Sequence, residues 1–207
     1  MNEKPYTDWV REILGEDIDL TKEKYGDQST VFQIHASSGD YYLKIGQSLQ
    51  KEYARLNWLQ GKILVPEGVG FWQNDGEECL LMTAIQGRNL ASLIKEWSPE
   101  KIVDKLVSAL QDLHAVDIQD CPFGVLEKDS VLVHGDACLP NLLFDGENFA
   151  GYVDLGDLMI AHREVDFAAA IWSLEYNLGS GYGGLFLEKY GVKGVSDALV
   201  EKLRLKY

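Results

Sequence analysis

The sequence predicts an α+β fold in two lobes, an antiparallel-sheet lobe over residues 1–84 and a mainly helical lobe over 85–207. Three features carry that prediction. Thr30–Lys44 holds two runs rich in aromatic and β-branched residues around Ser37-Ser38-Gly39-Asp40, a hairpin pattern. Ser98-Pro99 opens an amphipathic helix, with Ser as cap, Pro at the first helical position, and Ile102, Val103, Leu106, Leu110 and Leu113 on one face. Two short apolar runs, Leu142–Phe144 and Phe149–Val153, flank the hairpin-type turn Asp145-Gly146-Glu147-Asn148.

In chain order, the first hairpin places Lys44 near the end of a strand. Residues 50–60 turn helical, with Tyr53, Leu56 and Leu59 at three-residue spacing, until Pro66 and Gly68 break the pattern. A turn at Asn74-Asp75-Gly76 leads into a strand over Cys79–Ala84, and Ile85–Asn89 forms the crossover between lobes. After the Ser98 helix come Val131–His134 and the second hairpin. Helical character resumes over Phe167–Asn177 and again over Val195–Tyr207. Gly179–Gly184 satisfies G-x-G-x-x-G, but it follows a helical pattern and lacks a preceding strand, so it reads as a helix terminator and loop.

Composition narrows the function classes. The 207 residues are 46% hydrophobic, enough for a substantial core. With 33 acidic against 19 basic residues the formal charge is −14, which disfavours nucleic-acid partners, since phosphate neutralisation needs clustered Lys and Arg. The same charge suits either a solubilising surface or a cleft that attracts a cationic small molecule. No apolar run approaches the ~20 residues of a membrane span, and the N-terminal residues lack a signal-peptide core, so a cytoplasmic protein without membrane partners is expected. Cys79, Cys121 and Cys138 show neither disulfide nor zinc spacing. Oligomeric state is not legible.

The chemistry concentrates in His134-Gly135-Asp136-Ala137-Cys138-Leu139-Pro140-Asn141, followed across the hairpin by Val153-Asp154-Leu155-Gly156. Phosphoryl transfer needs a carboxylate to orient and deprotonate the attacking hydroxyl, and oxygen ligands that hold magnesium against a triphosphate. Asp136 as catalytic base, with Asn141 and Asp154 as metal ligands, supplies these parts in the order of the H-R-D-x-x-x-x-N catalytic loop and D-F-G; Gly135 replaces the Arg. His134 reads as a brace for the loop, Asp166 as a helix cap, and Cys138 as incidental.

These strings closely resemble the aminoglycoside 3'-phosphotransferases, and more loosely their choline-kinase and macrolide-kinase relatives. The likeness extends to Leu113–Ile118, Asp120–Phe123, Tyr42-Leu43-Lys44, Trp58-Leu59 with Val65-Pro66, and Phe186–Val192. It implies a protein-kinase-like fold and an enzyme that moves the γ-phosphoryl of ATP or GTP, with Mg2+, to a hydroxyl of a small and cationic substrate, an aminoglycoside first. It further implies that Lys44 binds the α and β phosphates with Glu52 as its partner, and that Tyr42 stacks on the nucleobase. The backbone of Thr83 and Ile85 would read the base edge, and a loop with Gly26 and Ser29 would cover the phosphates, the Asp27 side chain turned away. Asp166 would also hold the catalytic loop.

Departures from the family pattern fall on the substrate side. Only Gly124–Ser130 separates Phe123 from Val131, where the family carries several tens of residues of antibiotic-pocket helix. His162 stands where the family has Asp, and Glu201–Tyr207 does not reach the acidic and aromatic C-terminal residues that grip the amino sugar. A kinase of another small hydroxyl metabolite, or a degenerate nucleotide-binding homologue with little turnover, is therefore the alternative.

Overall fold

The computed structural model describes residues 5–23 and 29–207. By its contacts the chain divides into two units, Met1–Gln60 with Val65–Ile85, and Gly61–Leu64 with Gln86–Tyr207. Residues 61–64 join the second unit because the Leu64 carbonyl accepts the Tyr152 amide at 3.0 Å and Lys62 pairs with Asp120 at 3.2 Å.

The first unit is a five-stranded antiparallel sheet with two helices. Its strands are β1 (Leu20–Glu23), β2 (Thr30–Ala36), β3 (Gly39–Gly46), β4 (Gly68–Asn74) and β5 (Glu77–Thr83), in the order β1-β2-β3-β5-β4. Both expected turns form: Ala36 pairs with Gly39 around Ser37-Ser38, and Asn74 pairs with Glu77 around Asp75-Gly76. Along β3, Leu43 is fully buried and Tyr41 and Ile45 pack on the same apolar cluster, which includes Val10, Ile34 and Leu81. Because strand side chains alternate, Tyr42 and Lys44 project from the opposite face of β3. The cluster also receives Tyr6 and Val10 of α1 (Pro5–Leu14), a helix not anticipated from the sequence. The second helix, α2 (Leu49–Leu59), buries Leu49, Glu52, Leu56 and Leu59.

The second unit is helical around two small sheets. Its main helix, α3 (Pro99–His114), starts as expected: Ser98 Oγ accepts the Lys101 amide at 3.2 Å, and seven apolar side chains of the helix are buried. Strands β6 (Arg88–Asn89), β8 (Leu142–Asp145) and β9 (Asn148–Tyr152) form one sheet, and β7 (Ser130–Val133) pairs with β10 (Met159–His162) in the other. The predicted hairpin is β8–β9, with Asp145 opposite Asn148. Helices α4 (Glu164–Leu178), α5 (Tyr182–Tyr190) and α6 (Asp197–Arg204) complete the unit.

The glycine-rich stretch departs from its reading as a loop. Gly179 does end α4, but Gly183 and Gly184 lie inside α5. A Cβ on Gly183 would come within 2.8 Å of Ile171 Cγ2, so the missing side chain lets α5 approach α4 closely. Close helix packing here outweighs the roughly 1 kcal/mol by which glycine disfavours a helix.

Candidate functional site

In the second unit, Leu139–Asn141 form a 3-10 turn between β7 and β8 that places Asn141 beside Asp136. Asn141 Nδ2 donates to Asp136 Oδ2 at 2.8 Å and to its backbone carbonyl at 2.9 Å. Both donors of the amide are thereby committed, which leaves Asn141 Oδ1 as the acceptor atom it can offer a cation. The Asn141 carbonyl accepts the Val153 amide at 3.0 Å, bringing the neighbouring Asp154 to the loop. Asp154 is exposed and holds φ 60, a left-handed backbone that costs a non-glycine residue on the order of 1 kcal/mol. Such strain is found where surrounding structure fixes a residue for use.

The loop is braced from below by Asp166. It is not the helix cap expected from sequence, because α4 already begins at Glu164 and the Asp166 carboxylate turns away from the helix end. With no solvent exposure, it accepts the His134 amide at 2.9 Å, the Gly135 amide at 3.0 Å and His114 Nε2 at 2.9 Å. An ionised carboxylate can only accept, so His114 carries its proton on Nε2; in the neutral ring, Nδ1 then accepts from Tyr190 Oη at 2.7 Å. His134 is likewise a brace. Its Nδ1 accepts the Asp136 amide at 3.3 Å, which puts the ring proton on Nε2, and that donates to the Val153 carbonyl at 3.1 Å. Ser173 Oγ accepts the Leu139 amide at 3.0 Å.

Gly135 explains its own departure from H-R-D. It sits at φ 88, and a Cβ there would lie 2.5 Å from the Asp157 carbonyl oxygen. Gly135→Ala should therefore lower the urea midpoint by at least ~1 kcal/mol equivalent from the backbone alone, with loop distortion added. An unchanged midpoint would refute the close approach.

Cys138 is buried, and burial pushes its thiol up to about 12, with the Asp136 hydrogen bond adding to the rise. A thiol protonated at neutral pH is no nucleophile, in keeping with its incidental reading. Tyr207 Oη donates to Asp136 Oδ1 at 2.9 Å, a contact that nothing in the sequence pattern indicated.

In the first unit, Lys44 Nζ donates to Glu52 Oε2 at 2.8 Å, and their side chains are only 13% and 3% exposed. The depth of this pair separates it from surface ion pairs of negligible worth. The Thr83 amide donates to the Glu67 carbonyl at 3.0 Å and its hydroxyl accepts the Glu67 amide at 2.9 Å. Ile85 ends this unit. Ser29 immediately precedes β2, while Gly26 and Asp27 lie outside the described residues.

Among the described residues no three His, Cys, Asp or Glu side chains are grouped to hold a metal, and no helix is long and apolar enough to cross a membrane.

Comparison with known proteins identifies the relatives of this chain and its fold. A probable aminoglycoside 3'-phosphotransferase of Lactococcus lactis is 26% identical over 213 residues, covering 80% of this chain and 79% of its own. The aminoglycoside 3'-phosphotransferase of Niallia circulans is 29% identical, covering 95% of each chain. That alignment spans 250 positions against 207 residues here, so the relative carries at least 43 positions without a counterpart in this chain. The crystal structure of an aminoglycoside-3'-phosphotransferase of type VIII superposes with a TM-score of 0.76 at 20% identity, covering 98% of both chains. APH(4)-Ia, solved with ADP and hygromycin B, superposes with a TM-score of 0.78 at 12% identity, covering 98% of this chain and 88% of its own. Both structures establish the two-lobed protein-kinase-like fold. The model of the phosphotransferase enzyme family matches residues 25–129 and again 125–203, two stretches meeting at the shortened Gly124–Ser130 connection. With that match running through both units, the chain belongs to the phosphotransferase enzyme family.

Proposed function

We propose that the chain transfers the γ-phosphoryl group of a magnesium-bound nucleoside triphosphate to a hydroxyl of an aminoglycoside, with Asp136 as the base. The observation that carries this reading is the Asp136–Asn141 unit: a carboxylate held at 2.8 Å by an amide whose own oxygen is left for the metal. Asp136 orients the attacking hydroxyl and receives its proton; Asn141 and Asp154 would hold magnesium, which would supply charge neutralisation on the triphosphate. Lys44, steadied by Glu52, meets the α and β phosphates. Tyr42, on the same face of β3 as Lys44, stacks on the base, and the Thr83 carbonyl and Ile85 amide read its edge. Ser29 belongs to the loop over the phosphates.

ATP is the first choice of donor over GTP, supported by the ADP bound to APH(4)-Ia and to an APH(3'') of Streptomyces rimosus. Hygromycin B and streptomycin in those complexes support an aminoglycoside acceptor, cationic like the partner that a charge of −14 would attract. Dependence on a nucleoside triphosphate, together with three cysteines outside any disulfide, favours a cytoplasmic site of action. The direct test is nucleotide consumption by purified protein with magnesium across aminoglycosides, macrolides, choline and sugars. Turnover with choline or a sugar and none with any aminoglycoside would overturn the acceptor class.

Asp154→Ala should weaken magnesium-nucleotide binding without any acceptor present, because a carboxylate that would hold the metal is gone. Equal affinity of native and variant protein by calorimetry would remove Asp154 from the metal site.

A second reading, a kinase of another small hydroxyl metabolite, is favoured by one observation. Residues 124–129 form an exposed connection where the two stretches matched by the family model meet, and the alignment with the Niallia circulans relative holds at least 43 positions without a counterpart in this chain. Each charge-assisted contact to an amino sugar contributes about 1.5–3 kcal/mol, so the loss of two or three weakens binding by several powers of ten. Kanamycin should consequently bind modestly, with an affinity that falls as salt rises. Sub-micromolar binding that persists in high salt would show a complete pocket.

A further inference from the structure

A catalytic base is defined by the hydroxyl it relieves of a proton, and one hydroxyl of this chain already rests on Asp136. Tyr207 Oη donates to Asp136 Oδ1 at 2.9 Å, while Oδ2 is occupied by Asn141 Nδ2 at 2.8 Å. The phenol is placed by more than this bond. Its ring leans on Trp172 at 5.3 Å between centroids, and Trp172 is stacked in turn on Tyr176 at 5.2 Å and 7°. Cys138 Sγ lies 3.5 Å from the same Oη. The chain leading to the ring is fixed by Arg204 on Glu175 and Glu201 and by the Lys206–Glu164 ion pair. One face of the residue stays open, with 53% of its surface exposed.

The phenol cannot act unaided. Burial raises its pKa above the ordinary tyrosine value, and its hydrogen bonds with Cys138 and Asp136 raise it further, so it is a neutral donor near neutral pH. A neutral hydroxyl against an ionised carboxylate is the arrangement that the proposed reaction requires of its acceptor. Holding the two in contact replaces a second-order encounter by an intramolecular step, the source of large effective concentrations.

We propose that Tyr207 is a self-phosphorylation site of this enzyme, an inference that rests on Asp136 being the base. Tyr207 Oη attacks the γ phosphorus of a bound nucleoside triphosphate. The new oxygen–phosphorus bond forms as the bond from that phosphorus to the β,γ-bridging oxygen breaks. The phenolic proton passes to Asp136, and nucleoside diphosphate leaves with the bonding electron pair. The product carries close to two negative charges beside the Asp136 carboxylate, so the modified ring is repelled from the base and an external hydroxyl takes its place.

The test is incubation of the purified protein with magnesium and γ-labelled ATP without acceptor, followed by cleavage after glutamate, which cuts after Glu201 and releases the peptide that begins at Lys202 and carries Tyr207. Label should appear in that peptide at a rate per molecule independent of protein concentration. Tyr207→Phe should abolish it without changing the thermal midpoint, and Asp136→Asn should slow it by about 100-fold or more. An unlabelled Tyr207 in the native protein, or label undiminished in the Phe variant, overturns the proposal. Kanamycin and the other acceptors are run in parallel. Transfer to any of them with Tyr207 unlabelled sinks self-phosphorylation alone, and absence of both sinks the phosphotransfer reading with it.

Discussion

Asp136→Asn should lower phosphoryl transfer by roughly 10²–10⁴-fold while leaving nucleotide affinity nearly unchanged. The substitution preserves shape and removes the proton acceptor. Asp136 reaches the site through its carboxylate alone, since its amide is tied to His134 Nδ1 and its carbonyl to Asn141 Nδ2. Those backbone bonds survive the change, so the loop keeps its course and the metal ligands keep theirs. Binding and chemistry therefore separate: calorimetry with magnesium-nucleotide should superimpose on the native protein, and turnover should collapse. Native turnover by the Asn protein on any accepted substrate would remove Asp136 from the mechanism.

Asp166→Ala should be the most damaging change to stability, on the order of 3–5 kcal/mol, from one carboxylate that touches no substrate. The native side chain has no solvent exposure and satisfies three donors, the His134 and Gly135 amides and His114 Nε2. Alanine leaves two amides unpaired in the interior, each costing ~1–3 kcal/mol, and water cannot follow without opening the site. Against a total stability of about 5–15 kcal/mol the loss is large. Urea unfolding measures it. Activity should fall with it even in the fraction that folds, because the two freed amides belong to the residues immediately before Asp136. A midpoint within experimental error of the native one would show that the brace is dispensable.

The parts of the fold that were legible are those whose signals are local. The Ser37-Ser38 and Asp75-Gly76 turns, the Ser98-Pro99 helix start and the Asp145–Asn148 turn each state their structure within a few residues. What escaped notice depends on distant partners. Strand β10 is four residues long and owes its existence to pairing with β7, so no periodicity announces it. Helix α1 becomes visible only once its apolar side chains meet the sheet, and α5 contradicts local propensity through Gly183 and Gly184 for the sake of packing on α4. The candidate site divides in the same way. Asp136, Asn141, Asp154, Lys44 and Glu52 sit in strings whose spacing carries chemistry. Asp166, which the family resemblance already assigned to holding the loop, gains His114 and Tyr190 as partners in a brace across three helices, and Tyr207 lies 71 positions from the carboxylate it touches. Only the folded chain brings these together.

The close approach at Gly135 has a consequence for control. Protein kinases that write H-R-D carry a cation at this position, and phosphorylation can order their activation loops through new arginine–phosphate pairs. Here the Asp157 carbonyl fills the space that any such side chain would need, and the loop amides are held by Asp166 from within the same unit. No arginine at this position waits for a signal to set the loop. Its amides are set by Asp166 and its Gly135 backbone by the approach of Asp157, contacts inside the same unit that involve no arginine–phosphate pair.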